Sequence, residues 1–512
     1  MSKFYITTPL YYVNADPHIG HAYTNIIGDC MARFKRLNGD DVFFLTGTDE
    51  HGEKIKESAQ KSGQDIKSFI EEKVANFKSL WEKLNISYDH FIRTTYNTHI
   101  EVVKQAVVKL CDKGDIYKAK YLGFYCVSCE SFWTDPQIKE AQGCPACARA
   151  VEEVSEENYF FRLSKYQDWL KNYLKDNPDF IKPKIRYNEV VGFLDNNALV
   201  DLCISRPKKR VSWGIDLPLD DDYVVYVWFD ALLNYISAIG FSFDEDRFKT
   251  LWPADIHFIG KDILRQHAVF WPIILEALGI QLPGKIFAHG WWKAQDVKIS
   301  KSRGNIVNPL ELIEEVGADS LRYFLLREIP AGSDGNFSRE ALINRINNDL
   351  ANDLGNLVYR TLNMAEKYCQ GKVYPLSRQL PTEFKEPFLN LEEKYSEFME
   401  RQEFSLCLDG IFKFINVMNK YVENTKPWIL WKDKKNNEIK YFLYSLLEGI
   451  RIAALYLFPF LPSTVNSIRK QLGIEAYPIS LGDRMWGKEE SFCTKKELPL
   501  FPRIDIEEPN FS

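Results

Sequence analysis

The order strand, loop, helix, strand in the first fifty residues constrains the fold of this chain more than any other feature of its sequence. Phe4-Tyr5-Ile6-Thr7-Thr8 is an apolar, β-rich run. A loop bearing Pro9, Asn14, Asp16, Pro17 and Gly20 follows, and from Ile19 to Leu37 apolar residues recur at helical spacing. Residues 41–48 form a second short apolar run bounded by turn residues, and a polar helical pattern begins at Glu53. Strands alternating with helices in this way return to one sheet in parallel. The runs 224–229, 255–259 and 286–288 read as later strands of that sheet, and about 115–225 as an insertion into it. From about Asn344 the periodicity is almost wholly helical, which predicts a separate bundle.

The expected organisation is a Rossmann-like α/β domain in two halves, 1–114 and 226–290, split by an insertion at 115–225. A connecting region at 291–343, an all-α bundle at 344–490 and a tail at 491–512 complete it. A chain of 512 residues is long enough for several such cores. Its 45% hydrophobic and 27% charged residues argue against disordered, fibrous and membrane classes. The opening MSKFYITTPL has no basic and apolar leader, and no long uninterrupted apolar run occurs, so a cytoplasmic protein without a membrane partner is expected. The net charge of −6 gives no basic footprint over the whole chain. Local clusters at 182–186, 206–210 and 432–435 still offer positive potential, or simply a solvated face.

Two short segments carry phosphate chemistry. In Pro17-His18-Ile19-Gly20-His21 the loop enters the first long helix, and histidines three apart share one side of its opening turn. Free N–H groups and the helix dipole favour a phosphate there. Gly20 allows close backbone approach, and the imidazoles can donate to phosphoryl oxygens. Taken alone, the same pair reads equally as two satisfied polar side chains. Lys298-Ile299-Ser300-Lys301-Ser302 places ammonium groups and hydroxyls in a short loop after a strand, suited to a departing pyrophosphate or to an exposed basic turn.

The cysteines Cys126-x-x-Cys129 and Cys144-x-x-Cys147, with residues 130–143 between them, form two chelating turns. Four thiolates around one tetrahedral Zn²⁺ leave no position for water, so a structural zinc is expected. The other six cysteines are scattered and read as small buried hydrophobes.

In this order, the two phosphate segments resemble the HIGH and KMSKS signatures of class I aminoacyl-tRNA synthetases, with Ile299 in place of the usual Met and Val297 where Gly is common. Thr8 to Asn14, Thr46-Gly47-Thr48-Asp49-Glu50-His51-Gly52, Tyr226-Val227-Trp228-Phe229-Asp230-Ala231-Leu232 and Phe258-Ile259-Gly260-Lys261-Asp262 are similar to segments of the methionyl-tRNA synthetases. The resemblance spans nearly the whole chain. It implies ATP, with Mg²⁺, at His18, Gly20, His21, Lys298, Ser300 and Lys301, the two histidines and two lysines being catalytic. It assigns the α-ammonium of L-methionine to Asp49 and its side chain to Leu10, Tyr12, Trp228, Ala231, Tyr235, Ile263, His267 and Trp271. Aromatic walls suit a polarizable thioether. It also assigns the anticodon of tRNA(Met) to Asn356, Arg360 and Trp428, residue types that stack on and hydrogen-bond to splayed bases. A C-terminal OB-fold found in some members is not matched, and a monomer is expected. Two other readings stay open at this level: a class I synthetase for cysteine, valine or leucine, and a noncatalytic RNA-binding zinc protein.

Overall fold

The computed structural model describes residues 2–127, 131–133, 138–139, 141–145, 148–294, 297–298, 307–474 and 479–505. The first elements follow the sequence pattern closely: β1 (Lys3–Thr7), β2 (Tyr11–Tyr12), α1 (Ile19–Leu37), β3 (Asp41–Asp49), α2 (Glu53–Ser62), α3 (Ile66–Lys83), β4 (His90–Arg93) and α4 (Asn97–Asp112). β5 (Ile116–Cys126), β6 (Ser131–Trp133), β7 (Glu152–Phe161) and β9 (Leu202–Cys203) make a separate antiparallel sheet, with β8 (Ile181–Lys182) between them in sequence. After the hairpin of β10 (Ser205–Pro207) and β11 (Tyr223–Val225), the chain returns through β12 (Ile256–Gly260) and β13 (Ile286–His289). The main sheet has the order β2-β3-β1-β12-β13-β8, with β4 also on β3, and every pairing in it is parallel.

Two expectations change here. The run 224–229 is not a strand of this sheet. Only Tyr223–Val225 is extended, paired antiparallel with β10, and Val227–Leu232 is a helix. Six or seven apolar residues fit a buried strand and a buried helix equally well, and period alone does not separate them. The insertion is also not wholly apart, because β8 adds an edge strand to the main sheet through Ile181 opposite Ile286.

β1 is the centre of the sheet, with β3 on one side and β12 on the other. The chain thus winds away from β1 in both directions, and a crevice opens at the carboxyl ends of β1 and β12, the place where parallel sheets bind ligands. α1 crosses there so deeply that even Asp29 and Arg33 are buried. The Asp29 carboxylate accepts from Arg33 (2.8 Å), from Arg322 (2.7 Å), and from the backbone N–H and hydroxyl of Ser87 (2.7 and 2.6 Å). Burial pushes its pKa up, but the two guanidinium groups and Ser87 hold it below the usual carboxylate value.

Arg322, on the helix Ala318–Arg327, is fully buried and also donates to Leu84 O, Pro459 O and Phe460 O. One guanidinium therefore pins the sheet domain to the C-terminal bundle. That bundle runs from Arg339 through the helices Asn356–Cys369, Thr382–Glu400, Phe404–Thr425, Pro427–Lys432, Asn436–Leu457 and Pro462–Leu472. Among the described residues no helix is long and apolar enough to cross a membrane.

Candidate active site

The crevice holds a cavity of about 440 Å³, and its walls come from the four loops at the carboxyl ends of β1, β3, β12 and β13 together with the helix Val227–Leu232. His18 is the N-cap of α1. Its Nδ1 accepts the Gly20 N–H (3.1 Å), and Nδ1 of His21 accepts the His18 N–H (3.2 Å). This is a capping box built from imidazoles where Ser and Glu usually serve. An acceptor at Nδ1 fixes the ring proton on Nε2 in both neutral rings, so each carries a donor on the side away from the helix backbone. The rings stack with centroids 3.7 Å apart, and His21 rests against Tyr11 and Phe77. A Cβ on Gly20 would lie 2.9 Å from Cε1 of His18, so this glycine makes room for the folded-back imidazole. His289 extends the same wall, its Nε2 2.7 Å from the Thr24 hydroxyl.

The same cavity is lined by Leu10, Tyr12, Asp49, Trp228, Ala231, Tyr235, Ile263 and His267. Trp228 and Ala231 stand three apart on one helix and share its cavity face. Nδ1 of His267 donates to Ile263 O (2.9 Å), so Nε2 is left as the acceptor for the Tyr235 hydroxyl (2.7 Å). Desolvation holds His267 down to about 4, and burial raises the Tyr235 phenol far above its usual value. Both side chains are thus neutral at physiological pH. Trp271 does not line the cavity. It is fully buried one layer back, its centroid 5.7 Å from that of Tyr235 and its indole N–H directed to Nε2 of His257 (3.2 Å). In that layer His257 also lies against Tyr235, with ring centroids 4.3 Å apart and planes tilted by 31°.

Several residues that fix the cavity gave no signal in the sequence by themselves. Glu50, fully buried behind Asp49, accepts from Thr48, Arg93 and Thr95, while Trp213 donates to the Glu50 carbonyl (2.6 Å). His51 meets Asp230 at 2.7 Å, and so does His99. Asp334 accepts from Lys261 (2.7 Å), Lys293 (3.1 Å) and the Trp291 N–H (2.9 Å). Burial raises its carboxyl, but these donors outweigh it and bring the pKa to about 2. Lys261 is thereby tied to the hairpin of Trp292–Ala294 and Val297–Lys298, which leads into the basic loop. Lys298 pairs with Lys293 in that hairpin, while Ser300 and Lys301 lie outside the described residues.

Cys126 and Cys144 are both buried in a small cluster with Trp133, edged by Phe124, Ile138 and Val151. Cys129 and Cys147 lie outside the described residues, and among the described residues no three potential ligands are grouped for a metal. Two thiols held in one buried cluster are consistent with half of a tetrahedral set. In the bundle, Asn356 and Arg360 are half-buried on successive turns of the helix Asn356–Cys369, and Trp428 is 51% exposed at the start of Pro427–Lys432. Trp428 is therefore not a core residue. Tyr368 stacks on Trp431 at 5.0 Å and joins these two helices.

The family model described as tRNA synthetases class I (M) matches residues 4–362. The methionine–tRNA ligase of Caldanaerobacter subterraneus subsp. tengcongensis is 48% identical over 512 residues, covering 98% of this chain and 79% of that protein. The methionine–tRNA ligase of Thermotoga maritima is 45% identical over 513 residues, covering 99% and 81%. The structure of Mycobacterium tuberculosis methionyl-tRNA synthetase bound by methionyl-adenylate superposes with a TM-score of 0.93 at 40% identity, covering 98% of this chain and all of the other. The apo form of the same enzyme gives 0.86 at 38% identity, covering 99% of both. A cleft at the switch point of a parallel sheet, histidines capping its central helix, and likeness along the whole chain place this protein in the methionyl-tRNA synthetase family of class I aminoacyl-tRNA synthetases.

Proposed function

We propose that this protein is a methionine–tRNA ligase, acting in the cytoplasm as a monomer. It activates L-methionine with ATP to methionyl-adenylate and then transfers the methionyl group to the 3′-terminal adenosine of tRNA(Met). The observation that carries this reading is the shared cavity, in which the imidazole donors of His18 and His21 face the same space as Asp49, Trp228 and Tyr235. A methionine carboxylate oxygen attacks the α-phosphorus of ATP and pyrophosphate leaves. His18 and His21 donate through Nε2–H to phosphoryl oxygens as charge builds there, beside Gly20, and Lys298, Ser300 and Lys301 receive the departing pyrophosphate. Mg²⁺ bound to ATP supplies further neutralisation of phosphate charge.

Asp49 takes the α-ammonium. Leu10, Tyr12, Trp228, Ala231, Tyr235, Ile263 and His267 enclose the thioether, and Trp271 supports Tyr235 from behind. A neutral Tyr235–His267 pair suits an uncharged side chain, because it presents dipoles without burying net charge. Cys126, Cys129, Cys144 and Cys147 hold a structural zinc that keeps the antiparallel insertion folded, and Asn356, Arg360 and Trp428 read the anticodon. The domain limits follow the same reading, with the sheet domain split around 115–225 and the bundle beginning near 344.

The test is ATP–pyrophosphate exchange against a panel of amino acids, followed by charging of tRNA(Met). Exchange with methionine alone is expected. Exchange with cysteine, valine or leucine in its place would move the chain to another class I specificity, and silence with every amino acid would leave an RNA-binding protein.

A further inference from the structure

Two of the segments that form the cavity each give up a buried ionisable residue to the other. His51 follows Asp49 by two positions at the end of β3, and Asp230 sits between Trp228 and Ala231 on the helix Val227–Leu232. The Asp230 carboxylate is fully buried and accepts from Nδ1 of His51 (Oδ2, 2.7 Å) and Nε2 of His99 (Oδ1, 2.7 Å). His99, also fully buried, reaches from α4, and its other nitrogen meets the Ser237 hydroxyl at 2.7 Å. Ser237 ends the short helix Asn234–Ser237, which carries Tyr235. The Asp230 carboxylate is therefore the common point of three walls, bearing Asp49, Trp228 with Ala231, and Tyr235.

Burying a carboxylate with two imidazoles carries a desolvation cost that well-packed apolar residues would avoid, so what such a cluster offers is fixed geometry. Charge-assisted hydrogen bonds of this length hold their partners in one arrangement. The cluster itself does not line the cavity.

We propose that Asp230, His51 and His99 are positioning residues that set the distance between the Asp49 carboxylate and the aromatic walls at Trp228 and Tyr235, and so determine which length of side chain the site accepts. This rests on the reading of Asp49 as the ammonium anchor. An amino acid held by its ammonium at one end and its thioether at the other is measured by that distance. A well-formed apolar pocket separates substrates differing by one methylene by about tenfold to two-hundredfold. Loosening the cluster lets the walls drift apart and erodes that ratio while leaving the phosphate side of the cavity as it is.

The experiment compares wild type with His51→Leu, His51→Asn, Asp230→Asn and Ser237→Ala in pyrophosphate exchange, using methionine and ethionine, which is longer by one methylene. Loss of a hydrogen bond to a charged group predicts a rise in KM for methionine of about tenfold to a hundredfold in His51→Leu and Asp230→Asn. In the same variants KM for ATP stays within about twofold and the methionine-to-ethionine ratio of kcat/KM collapses. His51→Asn keeps an N–H donor toward Asp230 and is expected to restore the ratio. Ser237→Ala removes one hydroxyl at the far end of the cluster and is expected to lower the ratio slightly, which keeps the test decisive if His51→Leu does not fold. An unchanged ratio, equal shifts in the KM of ATP and methionine, or His51→Asn as damaged as His51→Leu overturns the positioning role alone. Wild-type protein without methionine-dependent exchange overturns the functional reading beneath it.

Discussion

His18 caps α1 and is proposed as a phosphate donor, and one substitution separates the two roles. Its Nδ1 accepts the Gly20 N–H at 3.1 Å, while Nε2 carries the proton offered away from the helix. His18→Asn places one of the most favourable N-cap side chains at the same point, so the cap survives. The ring and its Nε2–H are lost. His21 stays in place, because its Nδ1 still accepts the backbone N–H of position 18 and its ring still packs on Tyr11 and Phe77. Loss of one preorganised donor to a developing oxyanion costs about 2.7–4 kcal/mol, or about 10²–10³ in kcat. His18→Ala removes the cap as well, which adds a stability loss of about 0.5–2 kcal/mol. The expected pattern is therefore stability close to wild type in His18→Asn and lowered in His18→Ala, with exchange activity down by a similar large factor in both. Urea denaturation and methionine-dependent pyrophosphate exchange read the two quantities separately. If His18→Asn retains near-wild-type kcat, the imidazole of His18 serves the helix and not the phosphate, and its assignment as a phosphate donor falls.

Three further outcomes follow from the same geometry. Trp428→Ala, at a half-exposed site, leaves stability within about 0.5 kcal/mol of wild type. It is expected to lower kcat/KM for tRNA by the value of one base stack, about 1–3 kcal/mol, with exchange nearly intact; equal loss of both activities refutes a role in reading the anticodon. His267 has a folded pKa of about 4 against an ordinary value of 6.5, so the unfolded chain takes up the proton first as pH falls. Its contribution is fully present above pH 6.5 and is lost down to pH 4, about 2 kcal/mol of it between pH 7 and pH 5. His267→Gln should flatten urea midpoints over that range, and equal pH slopes for wild type and variant would contradict the burial argument. Protein purified without chelator should contain one zinc per chain by metal analysis, and its removal should make residues 116–161 sensitive to protease; metal-free protein with an intact insertion would exclude the Cys₄ site.

What could be read from the sequence was what is local along the chain. α1 runs from Ile19 to Leu37 as its periodicity predicts, because its first turn is specified by His18 and His21, three residues apart, and its buried face by the residues between. The parallel sheet follows from alternation alone. The run 224–229 could not be resolved, since its helix is required by contacts made elsewhere: Asp230 turns inward to His51 and His99, 179 and 131 residues away in sequence. β8 was hidden for a similar reason, its two residues becoming a strand only through β13.

The site residues divide along the same line, and the division explains why neighbours in a motif do different work. In Asp49-Glu50-His51 the strand ends at Asp49, and the three residues divide between two surroundings. Asp49 faces the cavity, Glu50 is locked behind it by Arg93 and Thr95, and His51 reaches across to Asp230. In Trp228-Phe229-Asp230-Ala231 a helix does the same, with positions 228 and 231 toward the cavity and 229 and 230 toward the core. A motif read as a string merges these two layers, and for that reason Trp271 is read as a pocket wall although it stands behind Tyr235. The layer that touches substrate can be guessed from chemistry, since it needs a carboxylate, aromatics and donors. The layer behind it has no chemical signature of its own. Its residues are chosen to hold the first layer still, and only the distances between distant segments identify them.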